Sequence, residues 1–365
     1  MSSRQYIVLI YGIFFICATI FSLLVNGLFV KFSKTLGIRP DNEPVIRWGS
    51  LTKPSFGGIS FYMIFLFSVA SYSIFFEQSE ILLNKQLLGI MLACTVGFLV
   101  GLADDAYNTK PLLKFLAQVL CGIILIATGT FIHAFEENNL NYLFTIFWIV
   151  AVMNSINMLD NMDAITTTVS IFILFTAVLV TVFNDDVTNM FLIILIGVMA
   201  ALIGFLFYNW NPSKIYMGDT GSQFMGVFLG AIGIIYFWNF KTGSEKIIFS
   251  RDFFAVLMAF IVPIIDTTVV VINRLSKGKS PFIGGKDHTT HHLSYLGFSD
   301  RQVAYTFAGI SLLSAFFTLL IVKIIVDWGY MYMAIFGLYF LILFSFFLSL
   351  TIRRNKKLKH DGATR

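Results

Sequence analysis

The chain has 365 residues, of which 57% are hydrophobic, 16% aromatic and only 12% charged, and its mean hydropathy is +0.82. A soluble domain carries about 25% charged residues, so a soluble globular protein is excluded, and the aromatic content excludes a disordered chain. The net charge of +5 would suit nucleic acid if the basic residues formed one patch, but they flank long apolar runs instead. The composition is that of a polytopic, all-α membrane protein.

A bilayer core of about 30 Å takes roughly 20 apolar residues per helix. Eleven such runs are predicted, over residues 6–30, 56–76, 87–103, 111–131, 141–158, 164–183, 190–208, 222–240, 253–273, 302–325 and 328–352. The first has Arg4 ahead of it, as a signal peptide would, but its length and lack of a small-residue cleavage site fit a retained helix better. Neither a repeat nor a low-complexity segment interrupts the pattern. One transmembrane domain, 1–352, is expected, followed by a basic tail, 353–365. Cys17, Cys94 and Cys121 lie inside apolar runs without a spacing motif, which leaves no disulfide framework or zinc site.

Basic residues orient the spans. The loops after odd-numbered runs and the C-terminal tail hold nineteen of the 25 Lys and Arg residues, including Lys34, Arg39, Arg47, Lys110, Lys214, Arg274 and Arg353 to Lys359. The expected topology has the N-terminus outside and the C-terminus in the cytoplasm. The tail then reads as a topology signal and lipid-headgroup contact.

Acidic residues on the outer side, such as Glu77, Glu80, Glu136, Glu137, Asp185 and Asp186, read as solvated loops. The inner side differs. Asp104-Asp105 ends the third run in GLADD, and Asn154, Asn157, Asp160 and Asp163 end the fifth in NSINMLDNMD. Asp219 precedes the eighth run in MGDTGS, and His288, His291 and His292 share the longest inner loop. Each cluster alone also fits a structural role: a cap, inter-helix hydrogen bonding along an i, i+3 face, a turn or a polar loop. Four clusters from distant parts of the chain meeting one membrane face are harder to dismiss. Grouped carboxylates suit a hard divalent cation, and Mg2+ typically takes one or two of them plus phosphate oxygens. Lys114, on the same face, suits phosphate, so phosphoryl transfer to a lipid phosphate at the inner boundary is the expected chemistry.

These segments carry a resemblance. KPSFGG (Lys53 to Gly58), GLADD, NSINMLDNMD, YNWNPSKIYMGDTGS and the histidine loop, in that order over residues 50–300, resemble the polyprenyl-phosphate N-acetylhexosamine-1-phosphate transferases. NRLSKGKSPF (Asn273 to Phe282) is similar to the branch that makes lipid-linked N-acetylglucosamine, more than to the branch using the peptidoglycan pentapeptide nucleotide. The resemblance implies ten or eleven helices with a cytoplasm-facing cleft, Mg2+ (or Mn2+) as cofactor, and a UDP-N-acetylhexosamine and undecaprenyl phosphate as substrates in a bacterial inner membrane. Membrane lipids would be its other partners, a homodimer is compatible with it, and nucleic acid has no place in it. It implies that Asp104 deprotonates or orients the lipid phosphate with Asp105 in support, that Asp219 with Asn157 and Asp160 holds the metal, and that Lys114 holds phosphate. Asn209, Tyr216 and Asp163 would line the uridine pocket. His288, His291, His292 and Arg274 would meet the pyrophosphate or sugar.

Three departures qualify the match. Asp-Gly-x-Asp-Gly is replaced by Asp160-Asn161-Met162-Asp163-Ala164, which predicts that helix five continues further. His-x-His-His is stretched to His288-Thr-Thr-His291-His292, and Phe56 replaces the Arg or Met before the Gly-Gly pair. Two rival classes share some of these features. A secondary transporter finds support in Asp266, an acid inside a span, but repeated halves are missing. The CDP-alcohol phosphotransferases lack their D-G-x-x-A-R signature here.

Overall fold

The computed structural model describes residues 3–32, 53–76, 84–184, 186, 188–240, 248–281 and 285–363. Lys34, Arg39, Arg47, Glu77, Glu80, Asp185, Lys241, Lys246, Phe282 and Arg365 lie outside the described residues. Among the described residues every regular element is helical. The order is α1 (Ser3–Phe32), α2 (Gly57–Phe75), α3 (Lys85–Tyr107), α4 (Pro111–Ala127), α5 (Asn138–Leu159), α6 (Ile165–Phe183) and α7 (Met190–Asn209). It continues with α8 (Gly218–Gly233), α9 (Phe249–Ala259), α10 (Ile261–Leu275), α11 (Thr289–Tyr295), α12 (Asp300–Leu319) and α13 (Tyr330–Ala363). Short π-helical turns prolong α8 to Trp238 and α12 to Ile324.

All eleven predicted runs fall on helices, and the chain is a multi-pass membrane protein. Nine of the described helices are long and apolar enough to cross a bilayer alone. The ninth run is broken: α9 and α10 meet at an 83° bend. Pro263, three residues into α10, has no N–H for the carbonyl of Ala259, and its ring crowds that carbonyl, so the helix cannot run straight. The fourth run, α4, has 17 residues and is the shortest unbroken span. By contrast α3, a short run in the sequence, reaches Tyr107 and takes Asp104 and Asp105 into its last two turns.

Helix starts follow local chemistry. Asn84 accepts from Leu87 N at 3.0 Å and Asn189 from Phe191 N at 2.8 Å, and Ser299 with Gln302 forms a capping box. Pro111 opens α4, where its missing N–H costs nothing.

The central post is α8, 94% of whose span is buried, with α2, α3 and α5 packed around it. Glycines permit this closeness. A Cβ on Gly101 of α3 would lie 2.2 Å from the carbonyl oxygen of Asp219, and one on Gly58 of α2 would lie 2.2 Å from Gly221 N. Small residues let membrane helices touch backbone to backbone. The glycines of KPSFGG, GLADD and MGDTGS therefore bring three helix ends together around Asp219. At the other end of the chain, α13 passes position 353 without a break, so the basic tail begins as a continuation of the last span.

Candidate active site

The ends of α3, α4, α5 and α8 meet in one charged cluster. Asp104 Oδ1 accepts from both the backbone N (2.8 Å) and Oγ1 (2.7 Å) of Thr109, which folds the α3–α4 turn around the carboxylate. Its Oδ2 pairs with Lys114. The same ammonium lies 3.6 Å from Asp219 Oδ2. Asp219 sits in the first turn of α8, where the helix dipole favours an anion. Asn157 of α5 donates its Nδ2 to Asp219 Oδ1 and to Ser222 Oγ. Gln118, one turn beyond Lys114, exchanges hydrogen bonds with Asn154 and donates to Gln223 at 3.2 Å. That network locks α4 to α5 and α8 and so fixes where Lys114 points.

Several residues expected to touch substrate are occupied elsewhere. Asp105 spends Oδ1 on Asp219 N (3.0 Å) and Oδ2 on Thr220 N (2.8 Å) and Oγ1 (2.7 Å). It caps α8 and acts on Asp219 through the backbone. Asn209 is buried, accepting from Ala164 N and Thr167 Oγ1 and donating to Ile215 O. Through these bonds it ties the start of α6 to the segment that leads into α8. Asp163 accepts from Ser213 N (2.9 Å), Ser213 Oγ (2.7 Å) and Asn211 Nδ2 (3.2 Å), clamping the 211–213 loop. Tyr216 stands beside it, with Lys53 Nζ 5.0 Å from its ring centroid. The stretch before α2 runs along the same segment, Tyr216 N donating to Pro54 O and Gly57 N to Tyr216 O.

The expected continuation of helix five does not occur. α5 stops at Leu159 with Asp160 as its C-cap, and Ala164 adopts φ +66° ahead of α6. Alanine thus takes a left-handed conformation at the very position where the family pattern has glycine. Asn161 holds the turn, donating to Met158 O and accepting from Thr290 Oγ1. The four-residue polar face is therefore split: Asn154 and Asn157 are helical, Asp160 caps, and Asp163 lies beyond.

The histidine segment is anchored by α10. Asp266 Oδ2 lies 2.8 Å from His288 Nδ1, and Oδ1 accepts from Thr289 N (2.8 Å) and Oγ1 (2.6 Å). The intramembrane acid that favoured a transporter is thus the anchor of α11. Arg274 is also diverted, donating to both oxygens of Asp287 and to Pro281 O. Burial raises the Asp287 carboxyl, but the bonds and charge of Arg274 outweigh it and hold it below the usual range. His291 and His292 are buried on α11. Burial, reinforced by His288, pushes His291 down to about 3.

Thr109, Gln118, Asp287 and Asp266, the partner of His288, are not singled out as site residues by sequence reasoning. An intramembrane acid and a glutamine in an apolar run were the available signals. Among the described residues no three His, Cys, Asp or Glu side chains are gathered as a metal cage. The oxygens available are those of Asp219 and Asp104 around Lys114, with Asp160 ending α5. One or two carboxylates suit Mg2+, which takes its remaining ligands from water and phosphate, and not structural zinc.

Fold and site together define a multi-pass helical membrane protein with a carboxylate–ammonium cluster at one end of its bundle. Residues 87–237, from α3 through the turn that closes α8, match the family model described as glycosyl transferase family 4. The chain is 29% identical over 265 residues, 68% of each chain, to a probable undecaprenyl-phosphate N-acetylglucosaminyl 1-phosphate transferase of Bacillus subtilis (strain 168). It is also 29% identical over 287 residues, 72% of this chain and 82% of the other, to a phospho-N-acetylmuramoyl-pentapeptide-transferase of Staphylococcus aureus (strain MSSA476).

Proposed function

We propose that this protein transfers N-acetylhexosamine-1-phosphate, with N-acetylglucosamine as the preferred sugar, from its UDP-sugar to undecaprenyl phosphate, releasing UMP. The observation that carries the reading is the Asp104–Lys114–Asp219 cluster at the end of the bundle, together with the two relatives' names. In the direct route, an oxygen of the lipid phosphate forms a bond to the β-phosphorus of the donor. The bond from that phosphorus to the bridging oxygen breaks, and UMP leaves with the electron pair. Lys114 exchanges its carboxylate partners for phosphate oxygens as charge moves. Asp104, held by Thr109, orients the attacking phosphate, and Asp105 keeps the α8 backbone and hence Asp219 in place. Asp219, with Asn157 and Asp160, would hold Mg2+, which would supply charge neutralisation on the diphosphate. Tyr216 offers a ring face for uracil, and the histidines of α11 face the sugar phosphate.

The excess of basic residues at the site's end of the spans supports a cytoplasm-facing site in a bacterial inner membrane. The relatives also include a pentapeptide-nucleotide enzyme, so the donor is an experimental question. Purified protein given radiolabelled UDP-N-acetylglucosamine and undecaprenyl phosphate should move label into the organic phase with equimolar UMP. In competition, the pentapeptide nucleotide should be the poorer donor. No lipid-phase label from any UDP-sugar would overturn the reading. Accumulation of phosphorylated protein with the lipid omitted would replace direct attack by a covalent route.

A further inference from the structure

Two contacts join the last third of α13 to opposite sides of the histidine segment. The Arg354 guanidinium lies 4.2 Å from the centroid of the Tyr295 ring. That ring in turn meets His292 edge-on, with centroids 6.0 Å apart. One residue along, Asn355 Nδ2 donates to Asn273 Oδ1 at 2.8 Å, and Asn273 Nδ2 donates to Asp287 Oδ2 at 3.1 Å, immediately before His288. Lys277 Nζ donates to Asn355 Oδ1 at 2.8 Å, so both ends of the amide are engaged. Arg353, beside them, is exposed.

Physical necessity argues that these contacts matter. α11 has seven residues, and a helix that short has no stability of its own in water. It must be held by its surroundings. Asp266 holds its first turn from α10, whereas Tyr295 forms its last turn and rests on Arg354. The Asp287 carboxylate is fixed by Arg274 and by Asn273, and Asn273 is oriented by Asn355. α13 thus reaches both flanks of the segment, Tyr295 through Arg354 and Asp287 through Asn355 and Asn273.

We propose that Arg354 and Asn355 are positioning residues that hold the histidine segment in register with the carboxylate–ammonium cluster. The C-terminal helix is thereby part of the reaction's scaffold. The kinetic consequence rests on the function proposed above; the docking does not, so two readouts separate them. In full-length protein, Arg354→Ala and Asn355→Ala should speed backbone hydrogen exchange across residues 287–295 by at least about fivefold, the signature of a locally loosened unit. They should also lower kcat/KM for the UDP-sugar by roughly tenfold, as displaced catalytic groups do, with the KM for the lipid unchanged. Tyr295→Ala combined with Arg354→Ala should be no worse than Tyr295→Ala alone, since loss of the ring already removes the Arg354 contact. Arg353→Ala, which removes an equal charge, should leave turnover intact. Wild-type exchange in both Arg354→Ala and Asn355→Ala overturns the proposal, as does an Arg353→Ala defect equal to that of Arg354→Ala. If wild-type protein transfers no sugar phosphate, the functional reading falls and the exchange comparison still decides the docking.

Discussion

Ala164 shows how a single residue can depart from a pattern and keep its shape. At φ +66° an L-side chain crowds the following carbonyl, at a cost of roughly 1–2 kcal/mol. The turn persists because Asn209 accepts its N–H and Thr167 closes the same oxygen. Ala164→Gly should therefore stabilise the protein by about 1 kcal/mol, seen as a higher apparent Tm with turnover unchanged; a lower Tm would show that the turn is not strained. His291 makes a second residue-scale case. Its folded value of about 3 lies below the ordinary 6.5, so between those pH values the unfolded chain binds a proton that the folded chain refuses. Stability is then complete above about pH 6.5 and declines as pH falls toward 3. A pH series of thermal unfolding should show this slope, and His291→Gln should flatten it. Equal slopes in the two proteins would mean that other groups carry the acid sensitivity.

At the scale of elements, close approach at glycines governs the site as much as its charges do. Gly101 touches the Asp219 carbonyl from α3 while Asp105 caps the same turn of α8. Gly101→Ala leaves every charged group present but forces α3 and α8 apart. Turnover should fall more than about a hundredfold, the effect of a 1 Å misplacement, while the protein still inserts and purifies. Retention of near-normal activity would show that the two helices can separate freely. The carboxylates were legible in the sequence because a charge in an apolar chain has few structural excuses. Their partners were not. Asp105, Asp163 and Asn209 look equivalent to contact residues in a motif, and only the packing of α8 and the 211–213 loop against them reveals where their oxygens go. The stop after helix five escapes the sequence for a related reason: the missing glycines remove the local signal, and a tertiary hydrogen bond from Ala164 N to Asn209 Oδ1 supplies it instead.

For the whole molecule, the eleven apolar runs were readable because bilayer thickness dictates their length, but the bend at Phe260 and the docking of α13 depend on contacts between distant segments. Orientation can be tested directly. In a Cys17→Ser background, Glu137→Cys should react with an impermeant maleimide on intact cells and Lys214→Cys only after permeabilisation; the reverse pattern would invert the topology. The lengths of the helices also make a demand on their solvent. At 1.5 Å per residue, α4 reaches only about 26 Å, short of a core of about 30 Å, and neither α9 nor α10 spans it alone. Lys114 lies in the first turn of that short helix, and a thick bilayer would draw its ammonium and the helix ends into hydrocarbon unless the lipids compress around them. Acyl-chain length thus becomes a variable of catalysis: vesicles of shorter-chain phosphatidylcholine should support faster turnover than long-chain ones, because the membrane itself presses Lys114 toward or away from its carboxylates.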